Sequence, residues 1–248
     1  ENAQGTIIEA PQATTFNITN VTFVEVAANL GAIKIKHITE KDDVSIIIHD
    51  NHFTNCGDIP ICIDAINAIC NISSNEFSGC TSTTHPSSIE ITGSNEVEIY
   101  NCNFINNGPN QAQTNNRYVI EVLSTSNLTY HDNSISYSEN RYAGGLKTTA
   151  ESVAILNSNF SNLHENSALH YELENSGLIV IKECIFDGLQ GKYSSDGFKY
   201  SAFSIKSDNA IFQHNIIRKC ELPIVGELYG RKAQFYGIGK FECSKIEL

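Results

Sequence analysis

The sequence has no Trp, no Met and only 5 Pro among 248 residues, and it has few basic residues. With 16 Lys and Arg against 28 Asp and Glu, the formal net charge is −12. This charge argues against nucleic acid and against an anionic membrane as partners. No run of about 18 apolar residues occurs, so the sequence predicts no transmembrane segment in this fragment. Because Met is absent, we expect a mature fragment or an excised domain of a larger protein.

Two further absences limit the fold and the chemistry. No stretch keeps apolar residues at the i, i+3, i+4 spacing of an amphipathic helix for 10 residues or more. The 8 Cys include no pair with the Cys-x-x-Cys spacing of a zinc site. The sequence therefore argues against a helical solenoid, and it predicts neither a metal ion nor another cofactor.

The sequence is instead rich in Ile and Asn, and it repeats. Eight segments align, with apolar residues five and three positions before a bend and with Phe or Ile two positions after it. Successive bends are 24 to 31 residues apart. The residues at the bend are Val21, Asn51, Asn75, Cys102, Asn133, Ser158, Cys184 and Asn215.

This repeat predicts an all-β fold, a right-handed parallel β-helix of about eight coils with three short strands per coil. Like residues of neighbouring coils then stack as Ile, Phe and Asn ladders. We expect the β-helix to span 16–225, after an N-terminal cap at 1–15. The segment 226–248 is predicted to be a C-terminal cap or the start of a further coil.

Most cysteines fall on inward positions of the repeat, and Cys62 falls on an outward one. The simplest interpretation is that the inward cysteines are small buried hydrophobic residues. The alternative is a disulfide between Cys56 and Cys80, which occupy one ladder position on adjacent coils.

The outward position of the first strand in each coil carries the best catalytic candidates. There Glu90 and Glu121 fall on adjacent coils, and Lys147 and His170 continue the row. Paired carboxylates are sufficient for glycoside hydrolysis. The alternative is a solvated charge ladder in which Lys147 neutralises Glu121. The sequence motifs typical of polygalacturonase-like and pectate lyase β-helices are absent.

Loops of variable length lie mainly at one junction of the coil, and they carry residue types that are frequent in binding sites. Arg and Tyr are enriched in interface hot spots, and aromatic rings stack on sugars. An equally good interpretation is that the aromatic residues anchor the loops to the β-helix wall. The candidates for ligand binding are Arg117, Arg141, Tyr142, Tyr193, Phe198 and Tyr200.

Five Asn-x-Ser/Thr sequons provide candidate glycosylation sites, which favours a secreted or surface-exposed glycoprotein. They are at Asn17, Asn20, Asn71, Asn127 and Asn159.

Two short motifs, Gly31-Ala32-Ile33 and Phe104-Ile105-Asn106-Asn107, resemble the polymorphic membrane protein repeat of bacterial surface autotransporters. Gly144-Gly145-Leu146 is a weaker match. The repeat also resembles that of similar β-helix surface proteins of protists. The resemblance implies a surface-exposed passenger that mediates adhesion or antigenic display.

We therefore predict a non-catalytic extracellular or cell-surface module, an adhesin that binds a host or cell-surface protein or glycan. One alternative is a polysaccharide-processing enzyme, a lyase or glycoside hydrolase, that uses the outward carboxylate pair. A second alternative is a structural spacer of a larger solenoid protein.

Overall fold

The computed structural model describes residues 8–9, 14–26, 31–37, 44–82, 85–109, 118–137, 143–164, 167–173, 177–190, 202–220, 226–229, 232–236 and 241–243. These residues form 27 short strands, numbered here in chain order, and no helix. The strands build three parallel sheets, each of which takes one strand from every coil. The predicted parallel β-helix with three strands per coil is confirmed.

Alternating side chains explain how one coil folds. In the third coil, Cys70 and Ile72 point inward and are buried, whereas Asn71 between them faces outward. The chain then bends at Asn75, and Phe77 resumes the inward direction. Because a strand buries every second side chain, the polar residues between the buried ones face solvent.

Sheet A contains the first strand of each coil. It consists of β1 (Ile8–Glu9), β4 (Ile33–His37), β7 (Ile61–Ala65), β10 (Ile89–Thr92), β13 (Tyr118–Leu123), β16 (Gly144–Thr148), β19 (Leu169–Glu172), β22 (Phe203–Lys206) and β25 (Gly226–Tyr229).

Sheet B contains the second strand. It consists of β2 (Thr15–Thr19), β5 (Val44–His49), β8 (Ala68–Ser73), β11 (Glu96–Tyr100), β14 (Asn127–His131), β17 (Ser152–Leu156), β20 (Leu178–Lys182), β23 (Asn209–Gln213) and β26 (Lys232–Tyr236).

Sheet C contains the shortest strands, which follow the bend. It consists of β3 (Thr22–Val24), β6 (His52–Thr54), β9 (Glu76–Ser78), β12 (Asn103–Ile105), β15 (Ser134–Ser136), β18 (Asn159–Ser161), β21 (Ile185–Asp187), β24 (Ile216–Cys220) and β27 (Phe241–Cys243). Each sheet thus has nine strands within the described residues, one more than the eight predicted coils, because 226–248 also contributes a strand to every sheet.

The register between coils stacks like residues on like, as predicted. Phe23, Phe53, Phe77 and Phe104 are partners in sheet C, and their ring centroids are 4.8, 4.7 and 4.8 Å apart. These separations equal the spacing of neighbouring strands, about 4.8 Å. Each ring is therefore held by the backbone ladder, and stacked aromatic pairs add about 0.5–1.5 kcal/mol beyond the burial of their area.

From Asn51 onward the bend residues are buried and form a polar ladder along the interior, whereas Val21 is exposed. Asn133 shows the bonding: its Oδ1 accepts from the backbone N–H of Cys102 at 2.8 Å, and its Nδ2 donates to the carbonyl of Ile99 at 2.8 Å. Asn51 and Asn75 also join side chain to side chain at 3.0 Å. An Asn at the bend thereby satisfies backbone groups that the turn removes from the sheets.

The residue before each bend has a left-handed backbone conformation, with φ between 45° and 57°. Only Gly adopts this conformation without a steric cost, and Asn and Asp tolerate it best. Ser74, Glu183 and His214 adopt the left-handed conformation although they are neither Gly, Asn nor Asp. The strand pairing in sheets B and C, on either side of the turn, therefore imposes the conformation. The eight positions are Asn20, Asp50, Ser74, Asn101, Asp132, Asn157, Glu183 and His214.

The inward cysteines are buried, as their ladder positions predict. Cys62 is only partly buried and belongs to an outward row of sheet A. The thiols of Cys56 and Cys80 each donate to a carbonyl of the preceding coil, that of Phe23 at 3.7 Å and that of Phe53 at 3.5 Å. A disulfide between them stays a prediction.

We expect Asn133→Ala to destabilise the protein by about 2–3 kcal/mol, because it leaves a buried N–H and a buried carbonyl without partners. Urea denaturation followed by circular dichroism measures the effect. Asn127→Ala is the matched control, since Asn127 is exposed on the same coil and its loss should cost less than about 0.5 kcal/mol. Equal denaturation midpoints for the two variants would contradict a stabilising role of the ladder.

Candidate functional site

A row of side chains crosses the outer face of sheet A, one from each coil, and it is the row that the repeat predicts. Strand register places Glu90 next to Glu121, Glu121 next to Lys147, and Lys147 next to His170. We call these four residues the sheet A row. It continues through Cys62 at one end and Ser204 at the other.

Glu90 is an acid of this row with one buried carboxylate oxygen. Its side chain is 26% exposed, but its Oε2 is buried and makes no short hydrogen bond. The ion-pair partner is Nδ1 of His85 at 3.4 Å. Burial raises the Glu90 pKa above its ordinary value of 4.5; the charge of Glu121 adds to this rise, and His85 opposes it.

Glu121 has a different environment on the adjacent strand. Its Oε2 is 3.6 Å from Nζ of Lys147, and its side chain is 15% exposed. The two carboxylates therefore differ in their partners, since Glu90 contacts a His and Glu121 contacts a Lys.

His170 closes the row as a neutral donor or acceptor. Burial lowers its pKa below the ordinary value of 6.5; Glu172, 3.7 Å from Nε2, opposes the fall, and Lys147 adds to it. The ring of Tyr118 lies beside it, with centroids 5.8 Å apart. Gly144 leaves room for that ring, because a Cβ there would be 2.6 Å from it.

His85 belongs to the site, although the sequence analysis did not select it. It lies in the variable stretch before β10, where its backbone N–H donates to Oγ of Ser82 at 3.0 Å. Ser82 in turn donates to Oδ1 of Asp58 at 3.0 Å. The sequence feature that could have identified His85 is its position five residues before Glu90, in a loop that leads into sheet A.

Cys62 is not a nucleophile in this setting. Burial and the neighbouring charge of Glu90 raise its pKa to about 11, so the thiol stays protonated near neutral pH.

The predicted ligand-binding residues of the loops lie outside the described residues. They are Arg117, Arg141, Tyr142, Tyr193, Phe198 and Tyr200. In the chain, the stretches 110–117, 138–142 and 191–201 directly precede or approach β13, β16 and β22, which carry the outward residues Glu121, Lys147 and Ser204. In the sequence of each of these coils, the proposed binding loop thus comes shortly before the strand that carries the outward residue of sheet A.

The predicted glycosylation sites have unequal environments. Asn17, Asn20 and Asn127 are exposed. The amide of Asn71 instead donates to Glu98 Oε2 at 2.9 Å, and Oδ1 of Asn159 is buried. Exposure thus favours the first three sites as acceptors.

The described residues contain neither a cluster of metal ligands nor a membrane-spanning helix. Across the described ranges, no three His, Cys, Asp or Glu side chains converge as metal ligands would. None of the residues that the structure describes belongs to a helix long and apolar enough to cross a membrane.

No protein-family model, no curated protein and no solved structure matches this chain. The function must therefore be argued from the geometry of this molecule.

We expect the neighbours of Glu90 to shift its titration in opposite directions. Glu121→Gln removes a nearby negative charge and should lower the Glu90 pKa, whereas His85→Ala removes the stabilising partner and should raise it further. Carbon-13 resonances of the Glu carboxyl groups, followed across pH, measure both shifts.

The same pKa gives a stability prediction with a definite sign. Because folding raises the Glu90 pKa above 4.5, its contribution to stability is fully present below that pH. The contribution is lost as the pH rises through the folded-state pKa. Glu90→Gln should remove this loss, so an unchanged pH profile of the urea midpoint would contradict the burial of Glu90.

Proposed function

We propose that this chain is a non-catalytic β-helix module that binds a ligand over the outer face of sheet A, at the cell surface or outside the cell. One observation carries the proposal: the sheet A row holds partly buried charged groups in a line, beside the positions where the longest variable loops join the sheet. Partly buried charges of this kind mark functional sites more often than an ordinary solvated surface does.

The chemistry of the row favours a glycan over a protein partner. Glu90 and Glu121 accept hydrogen bonds, Lys147 donates them, and neutral His170 does either. A polyhydroxylated ligand offers both donors and acceptors at short intervals.

The surface location is supported by two features. The resemblance to polymorphic membrane protein repeats implies an exposed passenger, and the exposed sequons at Asn17 and Asn20 are accessible to N-glycosylation in a secretory pathway. Adhesion or antigenic display is the role consistent with both. The net charge of −12 argues against a nucleic acid as ligand.

A glycan array with the purified protein tests the ligand class, and calorimetry with a glycan that binds then tests the site. Glu121→Gln and Lys147→Ala should each weaken binding about tenfold, as the loss of one hydrogen bond to a charged group does. Glu76→Gln is the control, since Glu76 is an exposed acid on sheet C that also pairs with a His. Binding that survives both sheet A variants would place the site elsewhere, and binding only to proteins would refute the glycan.

A second candidate is a polysaccharide-processing enzyme, and the difference between Glu90 and Glu121 favours it. A protonated Glu90 would donate its proton to the leaving glycosidic oxygen, and the Glu121 carboxylate would act as nucleophile or base. Neighbouring strands are about 4.8 Å apart. This distance is closer to the carboxylate separation of retaining glycosidases, about 5–5.5 Å, than to that of inverting ones.

A screen of polysaccharides for release of reducing or unsaturated ends separates binding from turnover. If the chain is an enzyme, Glu90→Gln should abolish product release, and activity should decline as the pH rises through the raised pKa of Glu90. Wild-type protein that binds a glycan without releasing any such ends would reject this candidate.

A further inference from the structure

The outer face of sheet B carries a strip of apolar side chains on three consecutive coils. Ala154 and Leu156 on β17, Leu178 and Val180 on β20, and Ile211 on β23 all face outward. Leu178 is 37% exposed and the others are partly exposed. An outward polar residue would be the ordinary choice at each position, so this strip has the composition of an interface.

Opposite charges lie at equal distances from the boundary between β17 and β20, which runs through the strip. Glu96 on β11 and Lys232 on β26 are both exposed. Register places them in one lateral row, which runs Glu96, Asn127, Ser152, Leu178, Asn209 and Lys232. Counted outward from the midline between β17 and β20, each charge lies on the third strand, which is β11 on one side and β26 on the other.

We propose that a second copy of this chain packs face to face on sheet B, with its solenoid axis antiparallel and the two-fold axis along the strands between β17 and β20. Rotation by 180° about this axis places each lateral row opposite the same row of the second copy. Each coil then faces the coil that lies at the same distance on the other side of the midline. Glu96 then faces Lys232 of the second copy, and the same pair forms again at the other end.

The two-fold axis also determines which other side chains meet. Leu178, Ile211 and Leu156 face Ser152, Thr129 and Lys182 of the second copy, so the axis pairs two apolar residues only at its centre. Ala154 faces Val180 at the centre, where two apolar residues exclude water. At the far ends, Tyr100 faces Tyr236, which is 50% exposed in the single chain. Tyrosines are enriched at interfaces because they combine a large apolar ring with a polar tip.

Charge rejects the alternative in which the two axes run parallel. A two-fold axis along the solenoid would place Glu98 opposite Glu98 of the second copy, so like charges would meet. Such a juxtaposition opposes association. The antiparallel arrangement replaces this repulsion with two attractive pairs.

The overlap spans six strands, from β11 to β26, and about five residues along each strand. These dimensions are roughly 29 Å by 16 Å. Two copies would bury about 1,000 Å² in total, the lower limit for a specific interface. We therefore expect a weak, reversible dimer.

Sedimentation velocity over a series of protein concentrations tests the dimer, using protein made in bacteria so that no N-glycan occupies Asn127 within the face. Glu96→Lys and Lys232→Glu should each weaken association about tenfold, because each reversal converts two attractive pairs into two repulsive ones. The combined variant should restore the wild-type dissociation constant.

Val180→Glu places a charge at the centre of the strip and should abolish the dimer, with circular dichroism confirming that each variant folds. Glu76→Lys, an exposed charge reversal on sheet C, should leave association unchanged. Protein that stays monomeric at every concentration would overturn the proposal. A dimer indifferent to reversal at Glu96 and Lys232 would overturn it too.

Discussion

Backbone hydrogen bonds between successive coils determine the spacing and the register on which every other feature of the molecule depends. Each coil is paired in parallel with the next through all three sheets, so equivalent residues repeat at the strand spacing of about 4.8 Å. Inside, this spacing suits stacked rings such as Phe53 on Phe77. At the bend it brings a buried amide such as Asn133 within reach of the preceding coil. The left-handed turn residues follow from the same pairing, since even Glu183 adopts the conformation that its neighbours require.

The same register converts the outside of each sheet into straight lines of side chains. On sheet A the lines bring acids, a lysine and a histidine together although they are far apart in the chain. On sheet B they assemble an apolar strip between charges of opposite sign. A single outward substitution therefore changes a line that several coils share, and the neighbours on both sides determine its chemical effect.

Period-two alternation allowed the fold to be predicted from the sequence, because residues such as Ile72 and Phe77 recur at fixed distances from the bend. It also predicted that Glu90 and Glu121 are neighbours, since only register is needed for that. It did not select His85, whose contact with Glu90 depends on an aperiodic loop held by Ser82 and Asp58. The apolar strip was visible in the sequence as Val180 and Ile211 between inward positions. It gained meaning only when the strands were placed side by side.

The bend ladder is not uniform, because thiol and hydroxyl side chains replace the amide in some coils. Where Asn75 meets Cys102, an amide-to-amide bond is replaced by thiol contacts of 3.5 and 4.0 Å, which are weaker than the 3.0 Å bond between Asn51 and Asn75. The same boundary is crossed by the amide of Asn107, whose Oδ1 accepts from the N–H of Cys80 at 2.8 Å and whose Nδ2 donates to the carbonyl of Phe77 at 3.0 Å. The coil with a thiol at the bend thus has its amide at the next corner, so the buried amide bonds between coils change corner along the length of the β-helix.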